Sequence, residues 1–321
     1  MMAIVLIAII LCLIALMLFA ASYFLKMVLG ASKDRKEKVL TPLLCLDKAE
    51  EGNAAQEQFI INRTRLRAEG AEFDKTMSPV EIVNKDGMKL YGRYRFAEES
   101  THKWIISVHG YRDDHRFMLP YVMDFHKHGF NVFTQDNRAH GMSDGDYISM
   151  GWHDKDDVYE WLDCIVRMDP DAQIVVHGIS MGGATTMMLS GLNHPHVIGY
   201  VEDCGYTTTW DIFKTVMNRD HHLPTFPIMN ICNVMSNIIM KYDYKKSSSL
   251  KQILKCTKPI LFIHGEKDGF VPLWMGQKCY ETYTGKKELY IAPGAGHAES
   301  MDYDPDAYFD KVYSFINNLD L

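Results

Sequence analysis

The 321 residues carry 34 Lys and Arg against 41 Asp and Glu, a net charge of −7, and show no long basic run or basic–aromatic stripe, which argues against a nucleic-acid partner. With 47% hydrophobic and 23% charged residues the composition is that of a globular protein, long enough for one α/β domain with additions. The seven cysteines are odd in number, dispersed and without a Cys-x-x-Cys pair, which argues against a disulfide framework and a structural zinc site.

Met1 to Leu25 contains no charged side chain, and the first charge is Lys26. About 20 apolar residues suffice to cross the hydrocarbon core as a helix. Residues 1–28 are therefore expected to form an uncleaved transmembrane anchor. A cleaved signal peptide ending near Ala20-Ala21-Ser22 is the alternative, but the basic n-region is missing and the apolar run is long. Lys26, Lys33, Arg35, Lys36 and Lys38 all follow the run. The positive-inside rule then predicts a single-pass membrane protein whose main domain faces the cytoplasm. Residues 29–78 read as a juxtamembrane helical connector, whose basic cluster either contacts anionic lipid or forms a solvated helix face.

The pattern becomes regular over residues 79–321. Val80–Val83 and Lys89–Phe96 flank Asp86-Gly87 and predict a hairpin. Strands follow at Trp104–Val108, Asn131–Thr134, Gln173–Val176, Val197–Val201, Pro259–Ile263 and Glu288–Ile291. Helices are expected near Phe117–His128, Asp154–Arg167 and Asp306–Leu319. This alternation implies a mostly parallel sheet with helices on both faces. It lapses over residues 206–250, where Trp210, Phe213, Val216 and Met217 recur at helical spacing. That insertion is read as a short helical lid, with a well-packed surface helix pair as the alternative.

Ile174-Val175-Val176 runs into Gly178-Ile179-Ser180-Met181-Gly182, and Ala184–Leu189 reads as a helix. Strand, Gly-x-Ser-x-Gly and helix together are the context of a nucleophile elbow, in which glycines leave room for a tight turn that exposes the serine hydroxyl. Serine needs a base to take its proton, and the base a carboxylate to orient it. His297, in Gly294-Ala295-Gly296-His297, follows the last strand. Asp268, in His264-Gly265-Glu266-Lys267-Asp268, follows the strand before it, at the sheet end where ligands collect. Glu266 and Asp203 compete for the acid's role, Glu266 being read rather as a loop brace. His140 is expected to order its own loop. The oxyanion donors are expected to be the backbone amides of Met181 and Tyr111, Tyr111 coming from the loop His109-Gly110-Tyr111-Arg112. No histidine pair has helical metal-ligand spacing beside a carboxylate, so neither a metal nor a cofactor is expected.

Trp104–Arg112, Asp136–Ser143, Gly178–Gly183, His264–Pro272 and Gly294–His297 resemble the landmark segments of the α/β-hydrolase superfamily, over about Pro79 to Leu319. Within it the chain is most similar to membrane-anchored bacterial hydrolases of the serine-aminopeptidase-like and prolyl-oligopeptidase-like groups. One departure is Asn137-Arg138-Ala139-His140, where Asp-x-Arg-Gly-His-Gly is commoner. The resemblance implies a Ser180–His297–Asp268 acyl-enzyme mechanism on a small acyl substrate, an ester of the carboxylesterase or acylglycerol-lipase type, and the apolar segment Tyr206–Met240 with the N-terminal run points to a lipid-like acyl chain. Peptidase or thioesterase chemistry on the same residues is the alternative, a peptidase needing a carboxylate such as Glu202 or Asp211 for the substrate's amino terminus. A non-catalytic α/β-hydrolase-like binding protein is the alternative of another class.

Overall fold

Eight runs rich in β-branched and aromatic residues form one sheet in the computed structural model, which describes residues 1–31, 54–220 and 225–319. The strands are β1 (Ser78–Val83), β2 (Lys89–Arg95), β3 (Lys103–Val108), β4 (Asn131–Gln135), β5 (Gln173–Ile179), β6 (Val197–Asp203), β7 (Ile260–Gly265) and β8 (Lys287–Ala292). Their spatial order is β1-β2-β4-β3-β5-β6-β7-β8. β1 and β2 make the expected hairpin, with Gly87 at φ 78° in its turn. β2 runs antiparallel to β4, and every pairing beyond β4 is parallel.

The helices are α1 (Met2–Leu29), α2 (Ala54–Asp74), α3 (Leu119–Lys127), α4 (Asp154–Met168), α5 (Met181–Ser190), α6 (Thr209–Asp220), α7 (Ile228–Met240), α8 (Ser249–Ile253), α9 (Leu273–Thr282), α10 (Ser300–Tyr303) and α11 (Pro305–Asn317). Because successive strand residues face opposite ways, the central strands feed two cores. Ile105, Val175 and Val201 pack with Leu66 of α2, Phe125 of α3 and Val312 of α11. Trp104, Ile106, Val108, Ile174 and Val176 pack with Trp161 of α4, Met187 of α5 and Cys279 of α9. The apolar stripes of α8, α9 and α10 are too short to have been read from the sequence.

The expected connector lies only partly within the described residues. Its basic cluster at 32–53 falls outside them. Residues 54–74 form α2, which packs on the domain: Arg67 donates to the Phe117 carbonyl (2.5 Å) and contacts Asp302 (3.3 Å), and a β-carbon on Gly70 would press on Leu119 and Pro120.

Residues 206–250 fold as α6, α7 and α8, with 221–224 outside the described residues. Phe213, Met217, Met229 and Cys232 form a third apolar cluster with Met181 and Met188 of α5, so this insertion covers the start of the α5 helix.

The expectation of a membrane span finds no support: among the described residues no helix is long and apolar enough to cross a membrane. Residues 2–29 are helical, but the end of α1 is docked on the domain. Ala21, Leu25 and Leu29 are buried in the third cluster, and the Leu29 carbonyl accepts from the Ile148 amide (2.7 Å). The apolar run thus serves, at its C-terminal end, as core.

Candidate active site

β5 ends at Ile179, and Ser180 occupies a positive φ of 57° before α5 begins at Met181. The flanking glycines explain why the turn can close. A β-carbon on Gly178 would lie 2.3 Å from the Gly182 carbonyl oxygen, and one on Gly182 would lie 2.0 Å from that of Val108. The Ser180 amide donates to the Asp203 carbonyl (2.8 Å), which pins the strained residue to the neighbouring strand.

Two loops at the same end of the sheet approach this serine. Beyond β8, Gly294 adopts φ 74° and the loop presents His297, whose Nε2 is 2.8 Å from Ser180 Oγ. Beyond β7, Asp268 places Oδ2 2.7 Å from His297 Nδ1. Its Oδ1 accepts from the amides of Phe270 and Val271, each at 2.8 Å. Burial by itself would raise this carboxyl, but His264 and His297 against it hold it down to about 2. Asp268 is therefore a fixed anion that orients the imidazole and would stabilise its cation.

The competing acids stand elsewhere. The Asp203 carboxylate, fully buried, accepts from Ser300 Oγ (3.3 Å), and burial pushes it up to about 6. Glu266 accepts the Gly294 amide (2.9 Å) and braces the histidine loop. His140 accepts from the Arg112 amide (3.1 Å) and contacts the Arg138 carbonyl (2.8 Å), which orders its loop. Arg138, in the segment that departs from the commoner pattern, grips Asp157 with two nitrogens at 2.6 and 2.7 Å.

The amides of Met181 and Tyr111 accompany the serine. Gly110, Tyr111 and Ser180 line one cavity, and among the described residues neither amide donates a hydrogen bond. Both are free to hold a developing oxyanion. The cavity, about 190 Å³, also takes in Asp113, Phe117, Ile179, Phe270, His297 and Ala298. A larger hollow of about 570 Å³ opens near Arg138, Tyr147, His153 and Lys241 and contains none of these groups.

Three contributors were missed in the sequence. His264 approaches Asp268 Oδ2 at 3.4 Å as a second histidine on the same carboxylate. Phe270 lays its ring against His297, with centroids 4.9 Å apart. Asp113 lines the cavity. Asp268, His297 and Cys204 also bring three potential metal-ligand atoms within 4.8 Å of one another, but Asp268 and His297 are already engaged with each other and with Ser180.

Residues 99–203 match the family model described as serine aminopeptidase, S33. The chain is 29% identical over 228 residues to the uncharacterised protein YqkD of Bacillus subtilis, covering 70% of this chain and 75% of that protein. It is 25% identical over 260 residues to the protein Bem46 of Schizosaccharomyces pombe, covering 78% and 80%. Among solved structures it resembles an esterase of Pyrococcus furiosus, with a TM-score of 0.62 at 23% identity over 76% of this chain and 91% of that one.

Proposed function

We propose that the chain, whose fold is that of the α/β hydrolases, is a serine hydrolase that cleaves a carboxylic ester through an acyl-enzyme. The observation that carries the reading is the unbroken contact from Ser180 Oγ to His297 Nε2 (2.8 Å) and from His297 Nδ1 to Asp268 Oδ2 (2.7 Å).

The steps follow from the geometry. His297 Nε2 takes the Ser180 hydroxyl proton as the oxygen attacks the substrate carbonyl. The Met181 and Tyr111 amides receive the oxyanion. Collapse expels the alcohol, which takes its proton from Nε2, and leaves acyl-Ser180. Water then gives a proton to Nε2 and attacks the acyl carbon, releasing the acid and restoring the hydroxyl. The small cavity favours a short acyl or alcohol group in the immediate reaction space.

A fluorophosphonate probe tests the reading. Labelling of the full chain, lost in Ser180→Ala and His297→Ala, supports it, and a well-folded wild type left unlabelled sinks it and favours a binding protein. A panel of p-nitrophenyl acyl esters against aminoacyl anilides then separates esterase from peptidase. Membrane attachment through the apolar run that precedes the docked Ala21, with the domain in the cytoplasm, is proposed on the charge pattern alone. Extraction of the full chain from membranes by carbonate, without detergent, would overturn it.

A further inference from the structure

A substrate ammonium group near Ser180 requires a carboxylate there. Glu202 and Asp211 do not supply it. Glu202 is fully buried beneath the start of α5, with Oε2 accepting the Gly205 amide at 3.0 Å. Asp211 accepts the Thr207 hydroxyl at 2.6 Å. Neither lines the cavity over Ser180.

Asp113 does line it. The point that a β-carbon on Gly110 would occupy lies 3.4 Å from Asp113 Oδ2 and 3.5 Å from Ser180 Cβ, so the carboxylate and the nucleophile flank the same glycine. Its neighbour Asp114 is engaged, accepting the Arg116 amide and side chain at 2.9 Å each. Asp113 makes no hydrogen bond or ion pair among the described residues, and burial pushes it up to about 6, against the pull of His109, Arg67 and Arg63. Asp113 is part-buried at the cavity wall, where its carboxylate has no direct partner among the described residues. A cation entering the cavity would complete the pair. The rings of Tyr111, Phe117 and Phe270 in the same lining add faces on which a cation is stabilised further.

We propose that Asp113 is a specificity residue that receives a positively charged amino group of the substrate, close to the carbonyl that Ser180 attacks. The inference rests on the reading of Ser180 as nucleophile. The ammonium belongs to the acyl part, as in an aminoacyl ester, or to the alcohol part, as in an amino-alcohol ester.

Two pairs of isosteric esters distinguish these sources. L-alanine methyl ester is compared with methyl isobutyrate, and acetylcholine with 3,3-dimethylbutyl acetate, by kcat/KM in a pH-stat. In the wild type one cationic ester should exceed its neutral isostere by about tenfold or more, as expected for a close charge pair, and that ratio should fall by about the same factor in Asp113→Asn. Asp113→Glu should restore most of it. Melting curves and fluorophosphonate labelling establish that each variant is folded. A wild type that hydrolyses the neutral esters with no preference for either cation overturns the inference, whatever the variants do. So does a ratio that Asp113→Asn leaves unchanged. A wild type that neither labels at Ser180 nor hydrolyses any ester overturns the underlying reading instead.

Discussion

The hydroxyl of Tyr111 donates to the carbonyl of Val28 at 2.5 Å, tying the last turn of α1 to the loop that lines the cavity beside Ser180. Arg112, next in that loop and at φ 59°, donates to the Met27 carbonyl. Leu25 and Leu29 share an apolar cluster with Met181, the residue after Ser180. The N-terminal helix therefore packs against both residues, Tyr111 and Met181, whose amides are proposed to hold the oxyanion. Tyr111→Phe removes one hydrogen bond and keeps the ring. A net contribution of about 1 kcal/mol predicts a fall in kcat of roughly three- to tenfold. The fall should appear in kcat on a short p-nitrophenyl ester with little change in KM, because the phenyl ring still lines the cavity. An unchanged kcat would show that α1 has no purchase on the loop.

The sheet was legible because buried parallel strands leave apolar runs bounded by turn residues, as Trp104–Val108 and Ile260–Ile263 do. Ser180, Asp268 and His297 were legible for a related reason: a strand end fixes where its following loop must lie. Asp113 was not, because Asp113 and Asp114 are adjacent and only the fold decides which caps a turn and which enters the cavity. The docking of α1 was hidden too. An uncharged run reads alike whether lipid or protein covers it, and Leu25 and Leu29 are covered by protein.

Asp268→Asn keeps the shape of the carboxylate while removing its charge. Oδ1 can still accept from the Phe270 and Val271 amides, which leaves the amide nitrogen as a donor beside His297 Nδ1 and favours the wrong imidazole tautomer. The expected loss is about 10⁴ in kcat with little effect on KM. Steady-state ester hydrolysis and the rate of fluorophosphonate labelling should fall together. A variant within tenfold of wild type would remove Asp268 from the relay.

Gly182→Ala tests the elbow through its backbone. The added carbon would sit 2.0 Å from the Val108 carbonyl oxygen, and 2.8 Å from that of His109, so β3 and α5 must separate. Both neighbours are backbone, which cannot swing aside like a side chain. Destabilisation of about 3 kcal/mol or more is expected. Denaturant unfolding followed by fluorescence measures it, and a loss under 1 kcal/mol, roughly the scale of an ordinary surface change, would mean that the turn is looser than its contacts indicate.

Glu202 carries a pH dependence whose sign can be worked out. Burial pushes its carboxyl up to about 8, against the pull of His264 and the Gly205 amide. Its Oε1 has no hydrogen-bond partner among the described residues. In the unfolded chain the group ionises near 4.3. The folded protein therefore holds a proton that the unfolded chain releases first. That contribution to stability is complete below about 4.3 and is lost as pH rises toward about 8. Glu202→Gln cannot ionise and can still accept the Gly205 amide. The wild type should lose melting temperature between pH 5.5 and 8.5 by a clear margin over the variant, and the two curves should converge toward pH 5. Parallel curves across the range would show that Glu202 does not change its protonation on folding.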